Sequence, residues 1–204
     1  MTSAEDRFSD VAKIVSYRCD DAPSPVVERA LLETIIRIAR DTKMLETTLT
    51  LTELQSGVDT YDFSYLLPDG YEVCQINWVM LCGCKLRPVD KCDPCPHGFE
   101  VITPKCIKLH PCPTHIDPGD VEICVALVPD YSVCELPEML MLHEDTLVDG
   151  TMANLTAQFK KAWGDRAANQ LYGRRFQAAL TRLTSVAQDD YTTNKRCRLD
   201  HGFI

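Results

Sequence analysis

Long apolar runs are missing from this sequence, and no stretch approaches the ~20 apolar residues that a helix needs to cross a bilayer. The segment Met1–Phe8 also lacks the basic residues followed by an apolar run that begin a secretory signal. We therefore expect no membrane span and folding in the cytoplasm. Thiols stay reduced in that compartment unless they bind a metal, so the eleven cysteines do not by themselves predict a disulfide framework.

The motifs of nucleotide binding and nucleophilic catalysis are also absent. There is no Gly-x-Gly-x-x-Gly, no Walker phosphate-binding loop and no Gly-x-Ser-x-Gly sequence. His97, His110 and His115 lie in turn-like segments, and no paired-carboxylate motif accompanies them. The sequence therefore predicts a protein that is not an enzyme, and no residue is assigned a catalytic role.

Basic residues are outnumbered by acidic ones. The formal net charge is −9, from 21 Lys and Arg against 30 Asp and Glu. Such a surface does not generally coat nucleic acid, because phosphate binding needs cationic side chains to displace counterions. With 204 residues, the chain is long enough for one domain, or for one domain that carries an inserted module.

Cysteines are present in number, and their distribution is uneven. Nine of the eleven lie between Cys74 and Cys134, inside a block with strand patterning that helical segments flank on both sides. Within the block, Cys74, Cys106 and Cys124 fall in apolar strand runs, where we expect them to be small buried side chains. The layout predicts a helical framework interrupted by a β-rich insert, and the cluster itself is compatible with a metal site, with disulfides or with neither.

Four segments have helical periodicity. Ser24-Pro25 predicts the start of a helix that runs to about Thr42, because proline suits the first turn and serine can cap it. Its apolar face consists of Val27, Leu31, Ile35 and Ile38. The other predicted helices span residues 7–17, 139–161 and 167–187. The core face of the last consists of Leu171, Phe176, Ala179, Leu180 and Leu183.

The helix predicted at 139–161 carries small residues on one side. The residues that share this side are Met139, Leu142, Thr146, Gly150 and Ala153. Gly150, Ala153 and Ala157 are small, and small side chains let a second helix come close. We therefore expect these three to lie at a tight helix–helix contact.

Strand patterning begins at Thr47, where leucine alternates with threonine. Leu67-Pro-Asp-Gly70 predicts a turn, since proline fixes φ and glycine permits positive φ, and a strand follows at 71–81. Further strand patterning occurs at 99–109 and 121–128. Frequent prolines divide the block into short pieces, which is typical of a small antiparallel β-sandwich or barrel.

The predicted fold class is α+β: a helical bundle with an inserted small antiparallel β-sandwich or barrel module and an extended C-terminal arm. The predicted parts are N-terminal helices at 1–46, the Cys-rich β module at 47–135, C-terminal helices at 136–188 and the arm at 189–204. The arm has few apolar anchors. Its candidate partner-binding residues are Lys195, Arg196, Arg198, Phe203 and Ile204.

Cys82-Gly-Cys84 and Cys92-x-x-Cys95-x-His97 are the strongest metal-ligand candidates. Zinc takes four sulfur or nitrogen ligands in a tetrahedron, and two ligands on one turn supply half of that shell. Against this, Cys92 and Cys95 lie in a Pro-rich loop, and one C-x-x-C without a second pair is a loose pattern. We expect no cofactor, with structural zinc as the alternative.

Several short motifs follow one another along most of the chain. They are Pro25-Val-Val-Glu-Arg-Ala-Leu-Leu32, Leu67-Pro-Asp-Gly-Tyr71, Ile107-Lys-Leu-His-Pro-Cys-Pro113, Leu136-Pro-Glu138, Gly150-Thr-Met-Ala153, Lys161-Ala-Trp-Gly-Asp165 and the ending Arg196 to Ile204. Taken in order, they resemble the head-to-tail adaptor proteins of tailed bacteriophages, also called connector or head-completion proteins. The Cys-rich loop departs from that family.

The resemblance implies a structural protein of the virion neck, assembled in the host cytoplasm, in which about twelve copies form a ring under the portal. The helical part and the C-terminal arm would grip the portal, and the β module would face tail, nozzle or tail-terminator-like components. DNA would pass through the lumen without specific binding, which fits a wall of negative charge. The alternative is a zinc-stabilised binding or regulatory module.

Overall fold

The computed structural model describes residues 4–52, 55–89, 98–112, 121–133 and 137–194. Helices and antiparallel sheets both occur, so the predicted α+β class is confirmed. The chain divides into two compact units. Met1–Met44 and Glu135–Ile204 form a helical unit, and Leu45–Cys134 forms a β unit, where the sequence places the insert at 47–135.

The described part of the helical unit contains five α-helices. They are α1 (Ala4–Arg18), α2 (Ser24–Thr42), α3 (Glu138–Met141), α4 (Glu144–Thr156) and α5 (Arg166–Asn194). None of these helices is both long enough and apolar enough to cross a membrane.

The helix α2 has the bounds that the sequence predicts, and its four predicted core residues are fully buried. Ser24 does not cap it: Pro23 is the N-cap residue, and the Ser24 hydroxyl donates a hydrogen bond to Oε1 of Glu28 at 2.9 Å. The helix ends at Lys43, which adopts the left-handed conformation (φ 56°) and donates its N–H to the Ala39 carbonyl.

The single helix predicted at 139–161 is wrong. The chain leaves helical geometry at His143, with φ −101° and ψ 50°, and a second helix begins at Glu144, where two acidic residues favour the positive end of the helix dipole. Met139 and Leu142, predicted to share the side of the small residues, are exposed, because a different side of the segment is buried. The buried residues of this segment include Leu140, Met141, Leu147 and Leu155.

The helix α4 ends at Thr156, and a corner at Trp163-Gly-Asp165 leads into α5. The helix α5 then continues to Asn194. The extended arm predicted from residue 189 is therefore wrong for 189–194, and the remainder of the arm lies outside the described residues. Phe176 and Leu180 are buried as predicted, whereas Leu171 is exposed.

The β unit is built from two antiparallel sheets. Its strands are β1 (Glu46–Leu51), β2 (Thr60–Asp62), β3 (Tyr71–Leu81), β4 (Cys84–Lys85), β5 (Gly98–Thr103), β6 (Cys106–His110) and β7 (Val121–Pro129). The sheet orders are β1-β7-β3-β4 and β2-β6-β5. The strand predicted at 99–109 is thus two strands, because Pro104 and Lys105 form a turn between β5 and β6.

The two sheets share one apolar cluster, which is the core of a small sandwich. Phe63, Ile107 and Ile123 in this cluster are fully buried. The turn before β3 depends on Gly70, which has φ 77°. A Cβ at this position would lie 2.6 Å from the Cα of Val133, so this turn needs glycine for its conformation and for its close packing.

Candidate assembly surface

The helices of the helical unit meet most closely at Gly150 of α4. This residue is buried, and a Cβ there would collide with the methyl group of Thr34 in α2 and lie 2.7 Å from Cε2 of Phe176 in α5. The absence of a side chain lets α4 pack against both neighbours.

A buried polar cluster lies next to this contact. The Thr34 hydroxyl donates to the Ala30 carbonyl at 2.8 Å and accepts from Nδ2 of Asn154 at 3.0 Å. The Thr151 hydroxyl donates to the Leu147 carbonyl at 2.7 Å and lies 3.4 Å from the Thr34 hydroxyl. These bonds satisfy polar groups within the helix interface, where an unpaired group would be costly.

The other two small residues predicted at this contact lie elsewhere. Ala153 is half-buried, and its carbonyl accepts a hydrogen bond from Nδ2 of Asn169 at 2.8 Å, which ties α4 to the start of α5. Ala157 is exposed at the C-cap of α4, because the helix ends one residue earlier than its position. The prediction that Ala157 packs against another helix is therefore wrong.

The first turn of α5 is fixed by a side-chain cap. One carboxylate oxygen of Asp165 accepts hydrogen bonds from the N–H groups of Ala167 at 2.8 Å and Ala168 at 3.2 Å. Two of the otherwise unpaired N–H groups of the helix are thereby satisfied.

The outward side of α5 carries arginine around an apolar centre, and we call this surface the arginine face. Leu171, Arg175, Ala178 and Arg182 recur at i, i+4, i+7 and i+11, and all are exposed. Arg174 flanks them and is also exposed. Sequence reasoning missed this face because it assigned Leu171 to the core.

A second exposed surface, which we call the acidic face, surrounds the break between α3 and α4. Met139 is 49% exposed and Leu142 is 60% exposed. Glu138, Glu144 and Asp145 are exposed beside them in the sequence. Sequence reasoning missed this surface because it placed Met139 and Leu142 on the same side as Gly150, at the predicted helix contact.

Asp149 belongs to α4 and is half-buried. Burial raises the pKa of its carboxyl above the ordinary value, the positive charges of Arg175 and Arg18 oppose the rise, and the negative charge of Asp145 adds to it. Arg175 therefore interacts with Asp149 within the chain.

The predicted zinc ligands are only partly within the described residues. Cys82 and Cys84 flank Gly83 in the turn between β3 and β4, and both are exposed. Cys92, Cys95 and His97 lie outside the described residues. Among the side chains that are described, no three His, Cys, Asp or Glu residues are grouped as a metal site requires.

The strand cysteines have three different environments. Cys124 of β7 is buried, Cys106 is half-buried, and Cys74 is exposed. The prediction that Cys74 fills the strand interior is wrong: its neighbour Val73 is buried, and the alternation of side chains along β3 puts Cys74 on the opposite, exposed face.

Polar groups surround the Cys124 thiol. Nδ2 of Asn77 donates to Oε1 of Glu46 at 2.6 Å and lies 4.0 Å from the sulfur. Burial, together with the negative charge of Glu46, raises the pKa of the Cys124 thiol. A thiol with a raised pKa is a poor nucleophile at neutral pH, so this cysteine has the properties of a structural residue.

His110 and Tyr61 of the β unit each interact with a neighbouring residue. Nε2 of His110 lies 3.7 Å from Oε2 of Glu100 on the adjacent strand. An open cavity of about 210 Å³ is lined partly by Tyr61, Asp62 and Tyr65. The Tyr61 hydroxyl donates to the Val58 carbonyl at 2.6 Å, so it is used in holding the loop before β2. His97 and His115 lie outside the described residues.

The arm residues Lys195, Arg196, Arg198, Phe203 and Ile204 also lie outside the described residues, directly beyond the end of α5. No protein-family model matches this chain, and no curated protein matches it in sequence.

Proposed function

We propose that this protein is a head-to-tail adaptor of a tailed bacteriophage: a structural ring protein that joins the portal to the tail in the virion neck. The observation that carries the proposal is the division of the chain into a helical unit and a β unit. Both ends of the chain form one helical unit, and a compact β-sandwich unit is inserted between them. The motif order that resembles the adaptor family supports the same assignment.

The helical unit is the proposed portal-binding part. It exposes apolar side chains at Phe159 and Val186, and exposed apolar residues are typical of surfaces that bind other proteins. The helix α5 leads directly to the basic residues of the C-terminal segment, and this segment supplies further anchors in Phe203 and Ile204. The β unit is left to contact tail components.

The acidic balance of the chain supports a channel role in which DNA is not held. A net charge of −9 repels phosphate, and a wall of that sign lets DNA pass without binding it. The ring thus needs no catalytic residue for its task.

Co-assembly with purified portal rings tests the proposal. Full-length protein should appear by electron microscopy as a ring of added density on the portal. A chain truncated after Asn194 keeps the described helices and should bind the portal more weakly, because it lacks the basic segment. Absence of binding by the full-length chain would contradict the proposal. Unchanged binding by the truncated chain would show that the arm does not contribute to portal binding.

The alternative of a zinc-stabilised binding module rests on one observation, the exposure of Cys82 and Cys84 on the same turn. Metal analysis of protein purified without added zinc distinguishes the two functions. About one zinc per chain, released on unfolding, would favour the zinc module.

A further inference from the structure

Charges of opposite sign are separated on two elements of the helical unit. Residues 166–187 of α5 include four arginines and no Asp or Glu. Residues 137–156, which contain α3 and α4, include four Asp or Glu and no Lys or Arg. The whole chain has 21 Lys and Arg and 30 Asp and Glu. Their separation on these two elements gives the helical unit one basic surface and one acidic surface.

Each surface also has an apolar centre. The arginine face has Leu171, 49% exposed, and Ala178 in line with Arg175 and Arg182. Phe176 and Leu180, on the opposite side of α5, are buried against the helical unit. The outward side of this helix is therefore the side left available to a partner.

The acidic face has the matching composition. Met139 and Leu142 are its apolar centre, and Glu138, Glu144 and Asp145 are its charged residues. Two faces that each combine exposed apolar residues with charges of opposite sign suit one another, because the apolar residues are removed from water together and the charges attract.

The charges of the two faces are largely uncompensated by other residues that the structure describes. Among the described side chains, Arg174 and Arg182 lie within salt-bridge distance of no carboxylate. Among the described residues Glu138 pairs with the half-buried Arg7, with 3.8 Å between Nη2 and Oε1, and a partly exposed pair of that length contributes little. Arg175 differs from the others, since it interacts with Asp149.

We propose that the arginine face of one copy docks on the acidic face of the next copy. The contact is heterologous: each copy uses a different surface toward each of its two neighbours, so the contact repeats and produces a closed ring or an open filament. This inference deepens the proposed function and rests on its ring of identical copies, while naming the surfaces that join them.

A second copy fits the arginine face better than nucleic acid does. Phosphate binding uses arginine but gains nothing from an exposed leucine and alanine at the centre of the face. An acidic partner surface with an apolar centre contacts both the arginines and the apolar residues. The acidic face of a second copy is such a surface. Binding of nucleic acid is therefore an outcome that the test must read separately.

Charge exchange between two variants tests the contact. The first variant is Arg174→Glu with Arg182→Glu, and the second is Glu138→Lys with Glu144→Lys. These changes spare Arg175 and Asp145, which interact with Asp149. In either variant alone both faces carry the same sign and repel each other. In an equimolar mixture, each contact between one variant and the other again pairs a basic face with an acidic face.

Sedimentation velocity at low and high ionic strength gives the readout. Wild-type protein should self-associate, and more weakly in high salt because exposed charges are screened. Each variant alone should associate about tenfold more weakly or worse, and the mixture should recover most of the loss. Lys160→Glu with Arg166→Glu is the matched control, since it reverses two exposed basic residues outside the arginine face, and it should behave as wild type.

The contact would be overturned by wild-type protein that is monomeric at low salt, by variants that associate as wild type does, or by a mixture that associates no better than its components. Circular dichroism checks that each variant is folded, and Glu138→Gln with Glu144→Gln gives a milder test of the acidic face. Loss of binding to a DNA duplex in the arginine variant, with self-association intact, would also overturn it. Portal binding by wild-type protein decides the proposed function separately.

Discussion

Gly150 of α4 and Phe176 of α5 pack so closely that a Cβ on the glycine would lie 2.7 Å from Cε2 of the ring. The same Phe176 ring lies 5.2 Å from the guanidinium carbon of Arg37 in α2. One aromatic ring thus contacts two other helices, and the position of α5 depends on it.

Substitution of Gly150 by alanine should destabilise the helical unit. Alanine favours a helix over glycine by about 1 kcal/mol, but the added methyl overfills the contact with Thr34 and Phe176 at a cost of about 1–3 kcal/mol. Urea unfolding followed by circular dichroism should show a net loss of about 1 kcal/mol. Gly173→Ala on α5 is the control: nothing lies within 4 Å of its Cβ position, and it should stabilise the unit.

Removing the Thr34 hydroxyl should cost about 1–3 kcal/mol of unfolding free energy, because Thr34→Val leaves the Asn154 amide without its acceptor at 3.0 Å. Valine keeps the shape, so the change isolates the hydrogen bond. Thr181→Val is the matched control: its hydroxyl bonds the Gln177 carbonyl at an exposed site, and its loss should change stability by less than about 0.5 kcal/mol. Equal effects at both sites would contradict a role for the buried cluster.

Loss of the α5 cap should lower stability measurably. In Asp165→Ala, the N–H groups of Ala167 and Ala168 lose their acceptor, at an expected cost of about 1 kcal/mol. Asp165→Asn keeps a capping oxygen and should retain most of the stability. Thermal unfolding of both variants checks the prediction, and similar losses in the two would show that capping is not the cause.

Stability should depend on pH through Asp149. Burial raises the pKa of its carboxyl, against the attraction of Arg175. A carboxyl that binds its proton more tightly when folded contributes stability below its unfolded pKa, and this contribution is lost as pH rises through the folded pKa. The stability of Asp149→Asn relative to that of the wild type should therefore increase as pH rises from acid to neutral. A difference that is constant with pH would contradict the assignment.

Alkylation should separate the thiols by their environment. Iodoacetamide followed by peptide mass spectrometry should show Cys84 reacting fast in the folded protein and Cys124 reacting slowly, since Cys124 is buried and its pKa is raised. Glu46→Gln removes a negative charge that raises this pKa, so it should increase the Cys124 rate. Fast labelling of Cys124 in the wild type would contradict the described burial.

Where a local signal marks an element, the sequence predicts it to the residue. The proline at position 25 places the start of α2, and Leu67-Pro-Asp-Gly70 places the start of β3 at Tyr71. Both signals act through backbone geometry, which proline and glycine determine almost independently of the rest of the fold.

The errors occur where tertiary packing decides. No proline or glycine marks the break at His143, so helical periodicity predicts one helix across it. Periodicity also groups Met139 and Leu142 with Gly150, whereas packing buries the side that contains Leu140 and Met141. Which residues of β3 are buried likewise depends on β7, which lies far away in sequence. The two surfaces that carry the proposed contact between copies follow from such packing, and composition alone did not reveal them.

The pairing of β1 with β7 joins the first and the last strand of the β unit. Glu46 pairs with Ala126, and the Leu45 carbonyl accepts the Leu127 N–H at 2.7 Å. The entry to the unit therefore lies beside the end of its last strand. Replacement of the whole β unit by another therefore needs only a unit whose two ends are neighbours, and such an exchange leaves the sequence of the helical unit unchanged.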